Sequence, residues 1–148
     1  MNRIIPYPLW LGHAGDGRDC PRLCDAGIQA VVQLAAEEPP LLLPRGLISL
    51  RFPLVDGAGN PIELLALAVH AVADLVAWGV PTLICCGAGL SRSPAIAAAA
   101  ISWNSGDTPE ESLCLITRQR RADLAPGLWD GVRAVLASRN TPAGTGTV

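Results

Sequence analysis

The stretch from residue 80 to residue 103 constrains the fold more than any other part of the chain. Residues 80–85 (VPTLIC) are almost entirely apolar, as is typical of a strand buried on both faces of a sheet. A glycine-containing loop over 86–92 follows, and the alanine-rich run 92–103 (RSPAIAAAAISW) predicts a helix that Ser93 can cap. A buried strand that passes through a short loop into a helix is typical of α/β domains.

Apolar runs and helical patterns alternate along the rest of the chain. The pattern predicts further elements, namely strands over 28–35 and 47–52, the second closed by Pro53, and helices over 19–26, 61–78, 108–119 and 126–137. We therefore expect an α/β fold in a single domain over 1–139, with a central, mostly parallel sheet of about four or five strands flanked by helices on both faces. Residues 140–148 have the composition of a flexible tail.

The composition narrows the setting and the partners of the protein. Half of the 148 residues are apolar and 16% are charged, which favours a compact domain over disorder. The net charge of −2 gives no general attraction to nucleic acid or to an anionic membrane, and no apolar run is long enough to cross a bilayer. Five cysteines without a secretory signal fit a reducing, cytoplasmic setting. Because the chain has no lysine, a phosphate site must use arginines or backbone amides.

The loop over 86–92 offers what a phosphate group needs. Successive backbone N–H groups of a loop that enters a helix can converge on an anion, and the helix N-terminus adds partial positive charge. Cys86 lies at the floor of this loop, and Arg92 can bind two phosphate oxygens at once. The predicted phosphate-binding residues follow the cysteine and are Gly87, Ala88, Gly89, Leu90, Ser91 and Arg92. These residue types also occur by chance between a strand and a helix, so the loop alone leaves a purely structural role open.

The spacing Cys86-x2-Gly89-x2-Arg92-Ser93 resembles the signature His-Cys-x2-Gly-x2-Arg-Ser/Thr of the cysteine-dependent protein phosphatases. The form CGAGLSRS is most similar to that of the dual-specificity phosphatases. The resemblance implies that Cys86 is the nucleophile, that Arg92 and the loop amides bind the phosphoryl group, and that Ser93 hydrogen-bonds the thiolate. It also implies a phosphorylated protein or peptide as the substrate, with a small phosphomonoester as the alternative, and it implies no metal and no cofactor.

The same resemblance requires a proton donor for the leaving group about thirty residues before the cysteine. Asp56 lies thirty residues before Cys86, directly after the strand predicted over 47–52. An aspartate followed by a glycine is also an ordinary turn pair, which is the alternative interpretation of Asp56. With the loop match, we interpret Asp56 as the general acid that later becomes the general base.

The resemblance extends over roughly residues 8–137 and departs from the family at two positions. Cys85 stands where the family usually has a histidine that supports the loop, and a thiol is a much weaker hydrogen-bond donor than imidazole. We therefore expect lower activity or a shifted pH optimum. Gly127 stands where the family usually has asparagine after proline, which weakens any expectation of side-chain support for the loop from that region.

Other groups have simpler interpretations. Cys20, Cys24 and His13 lie close in sequence and could be metal ligands, but only three candidates gather there and core-facing cysteines are the favoured interpretation. The two acidic residues after the strand 28–35, Glu37 and Glu38, are interpreted as solvated loop residues. The three clustered arginines, Arg118, Arg120 and Arg121, are interpreted as a solvated helix end.

Three functions are compatible with the sequence. The leading hypothesis is phosphomonoester hydrolysis through a phosphocysteine intermediate. The second is a catalytically weak phosphate-binding pseudo-phosphatase, which the missing histidine at Cys85 motivates. The third is a rhodanese-like sulfurtransferase, which the spacing of Asp56 and the Arg92-Ser93 ending disfavour. The sequence does not predict the oligomeric state or a preference between phosphotyrosine and phosphoserine or phosphothreonine.

Overall fold

The computed structural model describes residues 1–139 as a single α/β domain, and the tail predicted over 140–148 lies outside the described residues. The strands are β1 (Asn2–Arg3), β2 (Leu9–His13), β3 (Ala30–Ala35), β4 (Ile48–Leu54) and β5 (Thr82–Cys86). The helices are α1 (Ala14–Arg18), α2 (Cys20–Asp25), α3 (Ile62–Ala77), α4 (Arg92–Ser105), α5 (Pro109–Thr117) and α6 (Pro126–Arg139).

The strands form one sheet in the order β1-β2-β5-β3-β4, in which only β1 runs antiparallel to its neighbour among the described strands. Strand β5 therefore lies in the middle, between β2 and β3. Its last residue, Cys86, pairs with His13 at the end of β2, and Cys85 pairs with Gln33 of β3. The phosphate-loop sequence thus leaves the sheet at its centre, at the carboxyl ends of parallel strands, where ligands bind in open α/β sheets.

Helices cover both faces of the sheet, as the sequence predicts. The larger apolar core includes Ile84 and Cys86 of β5 and buried residues of α3, α4, α5 and α6, and α4 is the one of these helices that packs directly on β5. The smaller core on the opposite face includes Leu83, Cys85 and Leu23 of α2. Because side chains alternate along a strand, the two adjacent cysteines project into different cores.

Helix α4 is buried over almost its whole length. Its residues from Arg92 to Ser102 are all buried, and the four alanines from Ala97 to Ala100 have no exposed surface. Small side chains allow the sheet on one side and α3 and α5 on the other to approach the helix closely. This packing fixes the helix whose first turn carries Arg92 and Ser93.

Two details of the sheet differ from the sequence predictions. The strand predicted to close at Pro53 continues to Leu54, which pairs with Ala35 of β3. Proline is tolerated there because β4 is an edge strand, where a missing backbone N–H costs no ladder hydrogen bond. Strand β2 was not predicted, since its five residues contain Gly12 and give too short an apolar pattern.

Within residues 1–139, none of the helices combines the length and apolar character that a membrane span requires.

Replacing Ala99 by leucine is expected to lower the free energy of unfolding by about 1–3 kcal/mol, because added methyl groups have no room in a filled core. Urea denaturation followed by circular dichroism measures this change. Ala137 lies on the exposed side of α6, and Ala137→Leu is the matched control with an expected change within about 0.5 kcal/mol. Equal stability of the two variants would show that α4 is packed more loosely than described here.

Candidate active site

The residues predicted to carry the chemistry meet in one small cavity at the end of β5. The cavity has a volume of about 190 Å³, and its lining residues are Asp56, Cys86, Ala88, Leu90, Ser91, Arg92 and Asp123. Cys86 and Arg92 are almost fully buried beneath it, with 2% and 4% of their surfaces exposed. The structure therefore brings the predicted nucleophile, the predicted acid and the predicted phosphate-binding arginine together, although they lie on separate segments of the chain.

Three carbonyl groups of the loop accept hydrogen bonds from other segments of the chain. The Ala14 N–H donates to the Gly87 oxygen at 3.2 Å, and the Asp123 N–H donates to the Leu90 oxygen at 2.7 Å. A third bond runs from Arg120 Nη2 to the Gly89 oxygen at 2.8 Å. Within the described part of the chain, no bond uses the loop N–H groups of residues 87–91 as donors. Such N–H groups are available to an anion bound in the loop.

Gly89 cannot be replaced without moving the loop. Its φ of +77° lies in the left-handed region that favours glycine. In addition, a Cβ atom at Gly89 would lie 2.8 Å from the carbonyl carbon and oxygen of Gly12 in β2. The loop therefore rests directly on the backbone of the neighbouring strand, and two glycines make this contact close.

The contacts of Ser91 and Ser93 in the structure differ from the predicted ones. The residue that precedes α4 is Ser91, not Ser93, and the Ser91 hydroxyl does not cap the helix but accepts a bond from the Ala125 N–H at 2.9 Å. Ser93 lies inside the helix, and its buried hydroxyl has no hydrogen-bond partner among the described residues. The predicted bond from Ser93 to the Cys86 sulfur is thus absent here, and the uncapped end of α4 keeps its N–H groups free for an anion.

Arg92 has five N–H donors, and its partners take three of them. Nη1 donates to Glu37 Oε2 at 2.6 Å and to the Leu54 carbonyl oxygen at 2.9 Å. Nη2 donates to Glu37 Oε1. The buried Nε has no partner among the described residues. The donors that remain are therefore Nε–H and one N–H of Nη2, which lie parallel on one edge of the guanidinium group and match two oxygens of a phosphoryl group.

Glu37 is an exposed loop residue, as expected, but its carboxylate also makes a contact that the sequence did not predict. Its carboxylate binds Arg92 through both oxygens, and these hydrogen bonds lower the pKa of Glu37 to about 2. The same contact raises the pKa of Arg92. Gly87 leaves room for the pair, because a Cβ atom there would lie 3.0 Å from Glu37 Oε1. Glu38, in contrast, makes the solvated contact that was expected, with Arg18 at 3.3 Å.

Asp56 lies in the loop between β4 and α3, which the side chain of Asn60 holds in shape. The Asn60 amide accepts from the Val55 N–H and donates to the Val55 carbonyl oxygen, both at 2.9 Å, and it donates to the Gly57 oxygen at 3.2 Å. The loop also touches the start of α6, since a Cβ atom at Gly127 would lie 2.8 Å from the backbone nitrogen of Ala58. The glycine that departs from the family pattern thus provides the surface on which the Asp56 loop packs.

Cys85 faces away from the cavity, into the smaller core. Burial raises the pKa of its thiol to about 12, and the neighbouring Cys86 adds to this shift. A thiol with this pKa remains protonated at physiological pH and is not a nucleophile. A Cβ atom at Gly17 would lie 3.0 Å from the Cys85 sulfur, so α1 packs closely on this small side chain.

The sequence did not predict the position of Arg120. It was interpreted with Arg118 and Arg121 as part of a solvated helix end, and those two side chains are indeed exposed. Arg120 is instead half-buried behind the loop, where burial lowers its pKa and where it holds the Gly89 carbonyl group. No local sequence signal separates it from its neighbours, because its role depends on a contact over 31 residues.

No candidate metal site forms in residues 1–139, where no three His, Cys, Asp or Glu side chains are grouped to hold an ion. A larger cavity of about 760 Å³ lies elsewhere, between the end of α4, the start of α5 and α6, and Asp130 and Arg133 are among its lining residues. It contains none of the predicted site residues.

Searches with the sequence found no matching family model and no matching curated protein. Solved structures, however, match over nearly the whole chain. Human DUSP28 is 24% identical with a TM-score of 0.82, covering 94% of this chain and 97% of that one. A mouse putative dual specificity phosphatase, complexed with zinc tungstate, is 26% identical with a TM-score of 0.79, covering 92% and 86%.

The human tyrosine phosphatase-like serine/threonine/tyrosine-interacting protein is 20% identical with a TM-score of 0.77, covering 93% of this chain and 95% of that one. The chain therefore has the α/β fold of the dual-specificity cysteine phosphatases, as the sequence CGAGLSRS predicted. This likeness concerns the fold.

Replacing Gly89 by alanine is expected to destabilise the protein by more than the left-handed conformation alone explains. Gly106 is the matched control, with a φ of +80° and no atom within 4 Å of an added Cβ. Gly106→Ala should cost about 1 kcal/mol, which is the conformational term. Gly89→Ala should cost more and weaken the binding of tungstate by more than about tenfold, because the loop must move. Urea denaturation and isothermal titration calorimetry measure the two effects, and equal costs would contradict the described contact with Gly12.

Proposed function

We propose that the protein hydrolyses phosphomonoesters through a phosphocysteine intermediate. The observation that carries the proposal is the shared cavity of Cys86, Asp56 and Arg92, which offers a nucleophile, a proton donor and an anion-binding edge within about 190 Å³. The fold supports it, because the same fold in mouse is known in complex with tungstate, a tetrahedral oxyanion like phosphate.

In the first step, the Cys86 thiolate attacks phosphorus while the bond from phosphorus to the ester oxygen breaks. The leaving oxygen takes its proton from Asp56, which enters this step protonated. The free edge of Arg92 and the loop N–H groups hold the charge that builds up on the phosphoryl oxygens. Glu37 contributes indirectly, by keeping the Nη1 side of Arg92 occupied and the other edge free.

In the second step, water attacks the phosphorus of the phosphocysteine, and Asp56, now a carboxylate, takes a proton from that water. The bond between phosphorus and sulfur breaks, and inorganic phosphate leaves. The sulfur returns to the thiolate, for which the unpartnered Ser93 hydroxyl is the proposed hydrogen-bond donor. Each group thus ends the cycle in the state in which it began.

The proposed substrate is a phosphorylated protein or peptide. The loop side chains from Gly87 to Ser91 are uncharged, which gives no basic surface for the multiply charged head groups of inositol lipids. The alternative is a phosphate-binding protein with little turnover. Two observations support this alternative. One of the similar solved structures is of a protein named tyrosine phosphatase-like, and in this chain Cys85 stands where a histidine is expected.

Hydrolysis of an aryl phosphate separates these alternatives. Wild-type protein should release phosphate and should form a phosphocysteine that can be trapped by rapid acid quench. Cys86→Ser should show neither, because a hydroxyl cannot serve as the thiolate nucleophile. Asp56→Asn should lower kcat by about 10²- to 10⁴-fold, since it removes the proton donor.

The matched control is Cys85→Ser, which should retain turnover because the Cys85 thiol is buried, protonated and outside the cavity. Turnover in Cys86→Ser equal to that of the wild type would overturn the mechanism. Tight binding of tungstate without any turnover in the wild type would instead establish the phosphate-binding alternative.

Replacing Glu37 by glutamine is expected to lower kcat/KM for an aryl phosphate by about ten- to a hundredfold, because Arg92 loses the partner that orients it. Glu38→Gln is the control and should leave kcat/KM unchanged, since Glu38 contacts Arg18 at the surface. The pKa of Glu37 lies near 2, below its ordinary value of 4.5. The stabilisation by this pair is therefore complete above pH 4.5 and is lost only as the pH falls toward 2. A stability difference between the wild type and Glu37→Gln that changes between pH 6 and pH 8 would contradict this assignment.

A further inference from the structure

Asp123 is a second carboxylate at the cavity, and no sequence motif singles it out. It lies in the segment between α5 and α6 and lines the same cavity as Cys86 and Asp56. Its backbone N–H is bound to the Leu90 carbonyl oxygen at 2.7 Å, and two residues later the Ala125 N–H is bound to Ser91. The backbone of Asp123 is therefore fixed to the phosphate loop, while its exposed side chain makes no ion pair among the described residues.

The described residues that line the cavity include more acidic than basic side chains. Among the described residues, Arg92 is the only cation that lines it. Its Nη1 side is already occupied by Glu37, and its buried, unpartnered Nε is left for the phosphoryl group. Besides the nucleophile Cys86, the remaining lining side chains are uncharged apart from the carboxyl groups of Asp56 and Asp123. Arg120 lies behind the loop with its Nη2 on the Gly89 carbonyl group. Among the described residues that line the cavity, the side chains left for the rest of a substrate therefore include carboxyl groups and no further cation.

We propose that Asp123 makes this site selective for phosphopeptides with cationic residues next to the phosphorylated one. This inference rests on the proposed function and specifies its substrate class. A neighbouring arginine or lysine is attracted to the Asp123 carboxylate, and a neighbouring acidic residue or second phosphate is repelled by it. Asp56 contributes less to this selection, because in the proposed first step it carries the proton for the leaving group and is neutral.

Two phosphotyrosine peptides that differ only in having arginine or glutamate on both sides of the phosphotyrosine test this proposal. Wild-type kcat/KM should favour the basic peptide by about tenfold or more at low ionic strength. Asp123→Asn should reduce that ratio by about three- to tenfold, the effect of one unit charge about 7 Å away in a largely aqueous environment. Asp123→Arg should reverse the preference. The wild-type ratio should fall toward one in about 1 M salt, where charges are screened within about 3 Å.

Asp130→Asn is the matched control. Asp130 is an exposed aspartate of α6 that lines the other cavity, so its loss should leave the ratio of the two peptides unchanged. A merely structural role of Asp123 would change both peptides equally and would not respond to salt. A wild-type preference for the acidic peptide, or an unchanged ratio in Asp123→Asn and Asp123→Arg, would overturn the proposal.

Binding measurements distinguish a failure of this proposal from a failure of the proposed function. Cys86→Ser and the double variants Cys86→Ser/Asp123→Asn and Cys86→Ser/Asp123→Arg bind without turnover, so fluorescence anisotropy with the same two peptides reports charge selection directly. If no peptide is hydrolysed but Cys86→Ser prefers the basic peptide and the preference is lost with Asp123, the proposed hydrolysis fails and the charge selection stands. If hydrolysis is measured and the affinities do not depend on Asp123, the selection fails and the hydrolysis stands.

Discussion

The geometry of the site depends on which N–H groups of Arg92 are occupied by the carboxylate of Glu37 and which remain free. A guanidinium group presents five N–H donors in a rigid plane, so occupying one edge decides what the other edge can bind. Glu37 and the Leu54 carbonyl group occupy Nη1 and half of Nη2, which leaves the Nε edge for a phosphoryl group. Leu54 is also the last residue of β4, and Asp56 follows two residues later. A single arginine therefore links the ends of β3 and β4 to the loop that enters α4.

Close backbone contacts assemble the remaining parts of the site, and glycines make them. Gly89 rests on Gly12 of β2, and Gly127 at the start of α6 receives the backbone of Ala58 beside Asp56. A side chain at either position would separate the segments that it joins. An asparagine, which the family usually has at this position, can support a loop through its side chain. Here Gly127 has no side chain, and this allows the loop that contains Asp56 to pack directly on the start of α6. Glycine at position 127 therefore changes how the loop that contains Asp56 is supported, from a side-chain contact to a backbone contact, and does not leave that loop unsupported.

The sequence predicted the fold and the central loop because these depend on local pattern. The apolar run before Cys86, the glycine spacing and the helix of buried alanines each lie within a few residues of one another, and the likeness to solved phosphatase structures confirms the fold. Glu37, Arg120 and Asp123 were missed because their roles arise from contacts over 31 to 55 residues in the chain. Strand β2 was missed for a local reason, because five residues that include a glycine are too few to show a strand pattern in the sequence.

The absence of lysine has a consequence for how this site attracts its ligand. Backbone N–H groups are dipoles and Arg92 is paired with Glu37, so these groups act strongly on a bound phosphate but only weakly at longer range. Among the described residues that line the cavity, the exposed ionisable side chains are the carboxyl groups of Asp56 and Asp123. In the charge selection that we propose, these groups repel a dianion that approaches alone. A cationic neighbour on the same substrate would offset that repulsion, and the proposed selectivity for basic surroundings rests on this difference.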